Sequence, residues 1–238
     1  SFSDEMSGTG RALAEAGLCT VAIDLPGYGG SRTIEPYDIG AMAALVLETM
    51  WALPRHCAAR FALVGHSMGG MVAQELVVTA PQEVDALVLM ATSPAFGRAE
   101  GNWQREYIAQ RLAPLDAGQG MSRLAPGLCK GMASANAVHD VVARAALLMA
   151  AVPEATYRSA LHAIVRFDRR EALADIAVPV LCLAGEDDRN APPAVLQHMA
   201  ERIPRARYQC LPGVGHLAHM EAPQLVNPVL VEFLQSNL

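Results

Sequence analysis

The chain has 238 residues, of which 52% are hydrophobic and 18% are charged, and its formal net charge is -6. This apolar content excludes intrinsic disorder, and no apolar run reaches the roughly 18 to 20 residues that a membrane helix needs. Because 24 acidic residues outnumber 18 Lys and Arg residues, we expect no nucleic acid as a partner. Since no long apolar run is present, we expect no membrane as a partner either.

Short apolar runs bounded by Gly or Pro alternate with longer helical patterns along the chain. The first three runs are apolar throughout, which is typical of parallel strands covered on both faces. The predicted strands are residues 19–23, 61–64, 86–90, 178–184 and 207–211.

Apolar residues at helical spacing predict helices between these strands. Asp38 is a good N-cap for the first of them, and the others cover about 69–79, 193–202 and a final segment over 225–234. Pro228 lies inside that last pattern, where it predicts a helix start or a kink.

The alternation stops between about residues 98 and 170. This stretch has no strand-like run, and its residues 138–149 and 154–165 have the pattern of amphipathic helices. We therefore predict an α/β fold in which residues 1–97 and 171–238 form a mostly parallel sheet flanked by helices, while residues 98–170 form a helical cap inserted between two strands.

The cysteine and histidine patterns favour neither a disulfide framework nor a metal site. Cys19 and Cys182 lie in strand-like runs, which predicts buried, reduced thiols, and no signal peptide is visible, so we expect a cytoplasmic location. The seven histidines show no HxxxH or HExxH spacing, and we predict no metal and no other cofactor. The five cysteines are Cys19, Cys57, Cys129, Cys182 and Cys210.

The pentad Gly65-His66-Ser67-Met68-Gly69 follows a predicted strand and precedes a predicted helix. In that setting a G-x-S-x-G sequence forms a sharp turn that exposes the serine, and its two glycines are expected to leave room where a Cβ would clash. Ser67 is the predicted nucleophile, and the Met68 N–H at the helix N-terminus is the predicted oxyanion donor. A glycine-rich turn without a catalytic role is the alternative.

A serine hydroxyl needs a base that takes its proton. His216 follows the last predicted strand on a glycine-flanked loop, and we predict it as that base. His219, three residues further on, is the competing candidate.

The base in turn needs a carboxylate that orients its ring. Gly185-Glu186-Asp187-Asp188-Arg189 follows the preceding strand and offers three carboxylates. We predict Asp188, because Gly185 and Pro192 frame it as G-x-x-D-x-x-x-P, with Asp187 as the runner-up. The resulting chain order is Ser, Asp, His.

Three segments together resemble the α/β-hydrolase superfamily, in the branch with a helical cap over the site. Residues 22–31 are similar to its D-x-P-G-x-G-x-S loop, residues 65–69 to its nucleophile turn, and residues 213–223 to its G-x-G-H-x-x-x-x-E-x-P ending. Residues 167–179 are similar to the 3-oxoadipate enol-lactonases. The resemblance extends over the whole chain and implies the α/β-hydrolase fold.

The chain departs from this family pattern at its front. The family begins with strands that end in a His-Gly motif, whose following residue supplies a second oxyanion amide, whereas this chain starts at Ser1 within the loop after that motif. We expect the sequence to be incomplete there, because a sheet that lacks its central strands would expose apolar edges.

The motif and the resemblance imply a serine hydrolase that cleaves an ester or lactone of a small molecule through an acyl-enzyme intermediate. A serine nucleophile excludes dehalogenase and epoxide hydrolase chemistry, which uses an aspartate. Thioester or carbon–carbon hydrolysis, acyl transfer and cofactor-free perhydrolysis stay open, as do a non-hydrolytic receptor and a relative with an inactive triad. We expect a monomer or a homodimer.

The cap is expected to line the acyl pocket, although core packing is the alternative for each apolar residue. The predicted lining residues are Phe96, Trp103, Met121 and Met132, with Leu147, Leu148 and Met149 as further candidates. Five cap arginines are candidate partners for a substrate carboxylate, with a solvated surface position as the alternative: Arg98, Arg105, Arg123, Arg158 and Arg166.

Overall fold

A computed structural model describes residues 2–54, 61–97 and 102–238, with side chains from residue 8 onward. Two residues considered above, Cys57 and Arg98, lie outside the described residues.

Strands and helices follow one another along most of the described chain. The strands are β1 (Phe61–His66), β2 (Val84–Met90), β3 (Val180–Gly185) and β4 (Ala206–Leu211). The helices are α1 (Phe2–Glu15), α2 (Ile39–Ala52), α3 (Met68–Thr79), α4 (Trp103–Asp116), α5 (Met121–Met132), α6 (His139–Ala150), α7 (Glu154–Arg166), α8 (Pro193–Arg202), α9 (Ala218–Glu221) and α10 (Pro223–Gln235). Short 3-10 helices cover Pro81–Glu83 and Glu171–Asp175.

In the described part of the chain, four strands form one parallel sheet in the order β1-β2-β3-β4. Because neighbouring strands run in the same direction, their carboxyl ends lie at one edge of the sheet. The segments that leave this edge after β1, β3 and β4 carry Ser67, Asp188 and His216.

The central strands are buried on both faces, as their apolar sequences predict. Leu87 and Leu89 of β2 belong to one core cluster, which includes residues of α2, α3 and α8. Val88 and Met90 belong to a second cluster, which includes residues of α1 and α10. Successive residues of β2 therefore alternate between two helical layers, as the two-residue period of a strand requires.

The predicted helical insertion is present as α4–α7, between β2 and β3. It has an apolar core of its own, which includes Leu112, Leu115 and Leu161. At its base, the Arg169 N–H donates to Pro94 O over 2.7 Å, and the Arg169 guanidinium lies 2.6 Å from a carboxylate oxygen of Glu75 on α3. These contacts hold the end of the insertion against α3 and against the segment that follows β2.

The prediction of a strand over residues 19–23 is wrong, and so is the prediction of a buried thiol at Cys19. The run has no regular secondary structure, Cys19 is exposed, and the Val21 side chain is 44% exposed. A gap lined on one side by 19–25 and on the other by 61–64 separates the run from β1. Without a neighbouring backbone at hydrogen-bonding distance, an extended run forms no ladder.

The other predicted elements form, with boundaries that differ by at most two residues. Asp38 caps α2 as predicted, since its Oδ1 accepts from the Ala41 N–H over 2.8 Å. A helix start at Pro228 is wrong, because α10 begins at Pro223 and includes Pro228. None of the described helices combines the length and apolar character that crossing a bilayer requires.

The central strand β2 is expected to contribute strongly to stability. Leu89 is 0% exposed, so Leu89→Ala should lower the free energy of unfolding by about 2 to 5 kcal/mol through lost contacts and an unfilled cavity. Urea denaturation followed by circular dichroism measures the change. Leu147 is 74% exposed on α6, and Leu147→Ala should change the same quantity by less than about 0.5 kcal/mol. Equal effects of the two substitutions would contradict this account.

Candidate active site

Ser67 occupies the sharp turn between β1 and α3. Its φ of 52° and ψ of -120° lie in a region that residues with a side chain rarely adopt. The Ser67 N–H donates to Met90 O over 3.0 Å, and the Thr92 hydroxyl donates to Ser67 O over 2.7 Å. The end of β2 thus holds the turn in a conformation that it would not keep by itself.

The turn depends on a close approach of backbone segments. A Cβ on Gly65 would lie 2.6 Å from Gly69 O and 2.6 Å from the Cα of Gly70, and a Cβ on Gly70 would lie 2.6 Å from the Thr92 side chain. A Cβ on Gly69 would meet no atom within 4 Å beyond its own stretch of helix. The expectation that both glycines of the pentad provide room is right for Gly65 and wrong for Gly69, because it is Gly70 that packs against β2.

Three of the predicted residues are joined by hydrogen bonds. His216 Nε2 lies 2.9 Å from Ser67 Oγ, and His216 Nδ1 lies 2.8 Å from Asp188 Oδ2. An ionised carboxylate only accepts, so the proton of the neutral imidazole belongs on Nδ1. Nε2 is then free to accept the hydroxyl proton of Ser67.

The carboxylate of Asp188 is fixed by backbone donors. Its Oδ1 accepts from the N–H groups of Asn190 at 2.8 Å and Ala191 at 3.0 Å, and its side chain is fully buried. Oδ2 is thereby directed at His216. The competing candidates Asp187 and His219 lie outside this chain of hydrogen bonds.

Glu221 holds the loop that carries His216. Its carboxylate accepts from the N–H of Gly215 at 3.1 Å, from the N–H of Leu217 at 3.1 Å and from the N–H of Ser134 at 3.0 Å. Two of these donors flank His216 and the third follows α5 of the insertion. The sequence pattern contained this glutamate, but it did not show what the side chain binds.

Two further histidines lie against His216. The ring centroid of His66 is 5.1 Å from that of His216 and 4.7 Å from that of His219, and His66 Nε2 donates to His216 O over 2.7 Å. Burial, and then the neighbouring imidazoles, lower the pKa of His66 and bring the pKa of His219 to about 4. Both rings are therefore neutral near pH 7 and add no positive charge beside His216.

Within the described part of the chain, these histidines form no metal centre with other side chains. Over residues 2–54, 61–97 and 102–238, no group of three or more His, Cys, Asp and Glu residues is arranged to hold a metal ion.

Ser67 and His216 line a cavity of about 1370 Å³. Met68 also lines it, and as the first residue of α3 it has an N–H without a helical acceptor one turn earlier. The cavity continues into the gap between residues 19–25 and β1. It exceeds the roughly 300 to 1000 Å³ that small-molecule sites usually enclose.

The insertion supplies part of the cavity wall. Phe96, Trp103, Met132 and Met149 line the cavity. Met121 belongs instead to the core of the insertion, because its side chain packs among the helices, and Leu147 points into solvent. Leu148 also lies outside the lining.

The four described candidate arginines do not line the cavity. Arg158 pairs with Asp116 and Glu154, Arg105 binds Asn102, Arg166 binds the carbonyl of His162, and Arg123 is exposed. Arg111, which sequence reasoning missed, lines the cavity. The signal that could have found it is the spacing of Trp103, Tyr107 and Arg111, which places all three on one face of α4.

Comparisons with known proteins agree with this architecture. A family model for the alpha/beta hydrolase fold matches residues 3–223. BpoC of Mycobacterium tuberculosis, a protein named after non-heme bromoperoxidase activity, is 30% identical over 238 residues, which cover 94% of this chain and 86% of that protein. The pimeloyl-[acyl-carrier protein] methyl ester esterase of Nitrosomonas europaea is 29% identical over 208 residues, which cover 85% of this chain and 79% of that protein.

A solved structure extends the comparison. The enol-lactonase from Burkholderia xenovorans LB400 superposes with a TM-score of 0.83, over 98% of this chain and 86% of that one. Its sequence is 24% identical, so it supports the fold alone.

Glu221→Gln is expected to lower the free energy of unfolding by about 1 to 3 kcal/mol, because an amide in place of the carboxylate leaves a part-buried N–H without an acceptor. Urea denaturation measures the change. The matched control is Glu232→Gln on α10, since Glu232 is exposed and its carboxylate forms a surface ion pair with Arg207, at 3.0 Å. A cost at Glu221 no larger than at Glu232 would show that Glu221 does not hold the loop.

Buried His219 is expected to make stability depend on pH. Its pKa is about 4 in the folded chain and roughly 6.5 in an unfolded chain, so the unfolded chain takes up the proton first as the pH falls. The contribution of His219 to stability is present above about pH 6.5 and is lost as the pH falls toward about 4.

Urea unfolding of His219→Gln should therefore show a shallower pH dependence than the unsubstituted chain, by at most about 1.4 kcal/mol per pH unit for one proton. His139→Gln is the control and should keep the original slope, because the His139 side chain is 94% exposed. The same slope in all three proteins would contradict the assignment of a neutral His219.

Proposed function

Because the chain belongs to the α/β-hydrolase family, we propose that it is a serine hydrolase that cleaves an ester or lactone bond of a small molecule. The observation that carries this proposal is the chain of hydrogen bonds from Ser67 Oγ to His216 Nε2, at 2.9 Å, and from His216 Nδ1 to Asp188, at 2.8 Å. The catalytic residues are Ser67, His216 and Asp188.

In the acylation step, Ser67 Oγ attacks the carbonyl carbon of the substrate while His216 Nε2 takes the hydroxyl proton. Asp188 stabilises the resulting imidazolium and keeps its Nδ1–H in place. The Met68 N–H donates to the oxyanion of the tetrahedral intermediate. When the intermediate collapses, His216 returns its proton to the leaving alkoxide or enolate, and the acyl group remains on Ser67.

In the deacylation step, a water molecule attacks the acyl carbon and gives a proton to His216. The bond between the acyl carbon and Ser67 Oγ then breaks, His216 returns the proton to Oγ, and the carboxylic acid leaves. Neutral His66 and His219 support this cycle, because a positive charge next to His216 would disfavour the imidazolium form. The chemistry requires no metal or cofactor.

A second candidate is cofactor-free perhydrolysis, in which hydrogen peroxide replaces water at the acyl-enzyme and a peroxy acid is released. The observation that favours it is the 30% identity with BpoC, which is named after non-heme bromoperoxidase activity. Bromide oxidation that requires both an acyl donor and hydrogen peroxide would distinguish it from simple hydrolysis.

Ser67→Ala is expected to lower kcat for p-nitrophenyl acetate by about 10⁴-fold or more and to abolish labelling by a fluorophosphonate probe, because it removes the hydroxyl that attacks the carbonyl carbon. The matched control is Ser122→Ala on α5, since Ser122 is exposed and should leave both measurements unchanged. A folded chain that the probe does not label at Ser67 would rule out the hydrolase in favour of a non-hydrolytic receptor.

The base is tested with the same substrate. His216→Ala should abolish turnover, whereas His219→Ala should retain measurable activity, because only His216 reaches Ser67 Oγ. Loss of activity in His219→Ala with retention in His216→Ala would reverse the assignment.

A further inference from the structure

Three side chains on one face of α4 line the cavity. Trp103, Tyr107 and Arg111 follow one another at intervals of four residues, and all three line the cavity that contains Ser67. The rings of Trp103 and Tyr107 stack with centroids 5.2 Å apart, and the guanidinium carbon of Arg111 lies 5.2 Å from the centroid of Tyr107. Phe96 packs edge-on against Tyr107 at 4.9 Å. The aromatic rings therefore hold the guanidinium against the cavity wall.

Arg111 differs from the paired arginines of the protein. Among the residues that the structure describes, Arg158, Arg169 and Arg207 each face a carboxylate. Arg111 forms no ion pair within that part of the chain, although it is half-buried. Its charge acts on the buried Tyr157, where burial raises the pKa of the phenol and Arg111 lowers it. A guanidinium that faces the cavity and no carboxylate of the described residues is available to bind a carboxylate of a ligand.

The charges around Arg111 favour an anion in this part of the cavity. Asp24 is the one carboxylate residue among the described lining residues, and it lies in the run that borders the gap beside β1. The lining contributed by the insertion contains Arg111 and no carboxylate. Arg11 and Arg189 line other parts of the cavity, so a carboxylate held against the insertion meets the Arg111 guanidinium and no acidic side chain of that lining.

We propose that Arg111 binds a carboxylate on the substrate and makes the enzyme selective for monoesters of dicarboxylic acids. The planar guanidinium can donate two parallel hydrogen bonds to a carboxylate, which fixes both the charge and the direction of the acyl chain. The carboxylate is held at the α4 wall while the ester carbonyl reaches Ser67. This inference rests on the proposed hydrolase function and names the substrate class of the same site.

The test compares monomethyl esters of succinate, glutarate, adipate and pimelate with methyl esters of the unsubstituted acids of the same chain length. Within each matched pair, the ratio of kcat/KM for the acidic ester to kcat/KM for the neutral ester is expected to exceed one for at least one chain length. In Arg111→Gln that ratio should fall by about 10- to 100-fold, mostly through KM, because the charge-assisted hydrogen bonds are lost. Arg111→Lys should retain part of the selectivity, because lysine keeps the positive charge but cannot donate two parallel hydrogen bonds to one carboxylate.

The control variant is Arg123→Gln, since Arg123 is an exposed arginine on α5 outside the cavity lining and should leave the ratio unchanged. Fluorophosphonate labelling of Ser67 verifies that each variant retains a folded site. An unchanged ratio in Arg111→Gln, or a preference of the unsubstituted enzyme for neutral esters at every length, would overturn the inference while leaving the hydrolase function standing.

A measurement without turnover separates the two proposals. Calorimetry with glutarate, adipate and pimelate on Ser67→Ala should detect binding of at least one diacid, and the added substitution Arg111→Gln should weaken it by about 10-fold or more. If the unsubstituted enzyme hydrolyses none of the esters but the diacid binding depends on Arg111, the hydrolase proposal fails and the carboxylate site stands. If no diacid binds Ser67→Ala, the carboxylate site is wrong.

Discussion

The site depends on how closely the end of β1 approaches the start of α3. At Gly65 and Gly70 no Cβ fits between the strand, the helix and Thr92, so the chain reverses in a space that only glycine allows. This reversal forces Ser67 into its unusual backbone conformation and places its hydroxyl at the carboxyl edge of the sheet. The hydrogen bonds from β2 hold it there, and the other site residues are positioned around this fixed point.

A second constraint links the core to the insertion. The Glu221 carboxylate binds backbone donors on both sides of His216 and one donor at the end of α5, and the His216 N–H donates to the carbonyl of Met132 at 2.9 Å. The loop that carries His216 is therefore joined by hydrogen bonds to the insertion that forms part of the cavity wall. A change in the packing of α5 would move the imidazole as well as the wall.

The cavity has two different charge environments, one at His216 and one at Arg111. Around His216, one buried carboxylate favours the imidazolium, and two buried histidines stay neutral because burial lowers their pKa. Elsewhere on the cavity wall, the Arg111 guanidinium lies over the ring of Tyr107 and faces no carboxylate of the described residues. The first arrangement suits the proton transfer that we propose, and the second is the basis of the proposed carboxylate site.

Local patterns in the sequence determined most of the elements, because helix and strand periodicity, the Asp38 cap and the glycine-bounded pentad depend on neighbouring residues. They also placed Ser67, Asp188 and His216 after three of the predicted strands, which are β1, β3 and β4 of the sheet. Only the tertiary structure decided that residues 19–23 form no strand, that Gly70 rather than Gly69 packs tightly, that Met121 belongs to the insertion core and that Arg111 lines the cavity. Each of these features depends on contacts with residues that are distant in the chain. The spacing of residues along the sequence does not show which distant residues will pack against a given side chain.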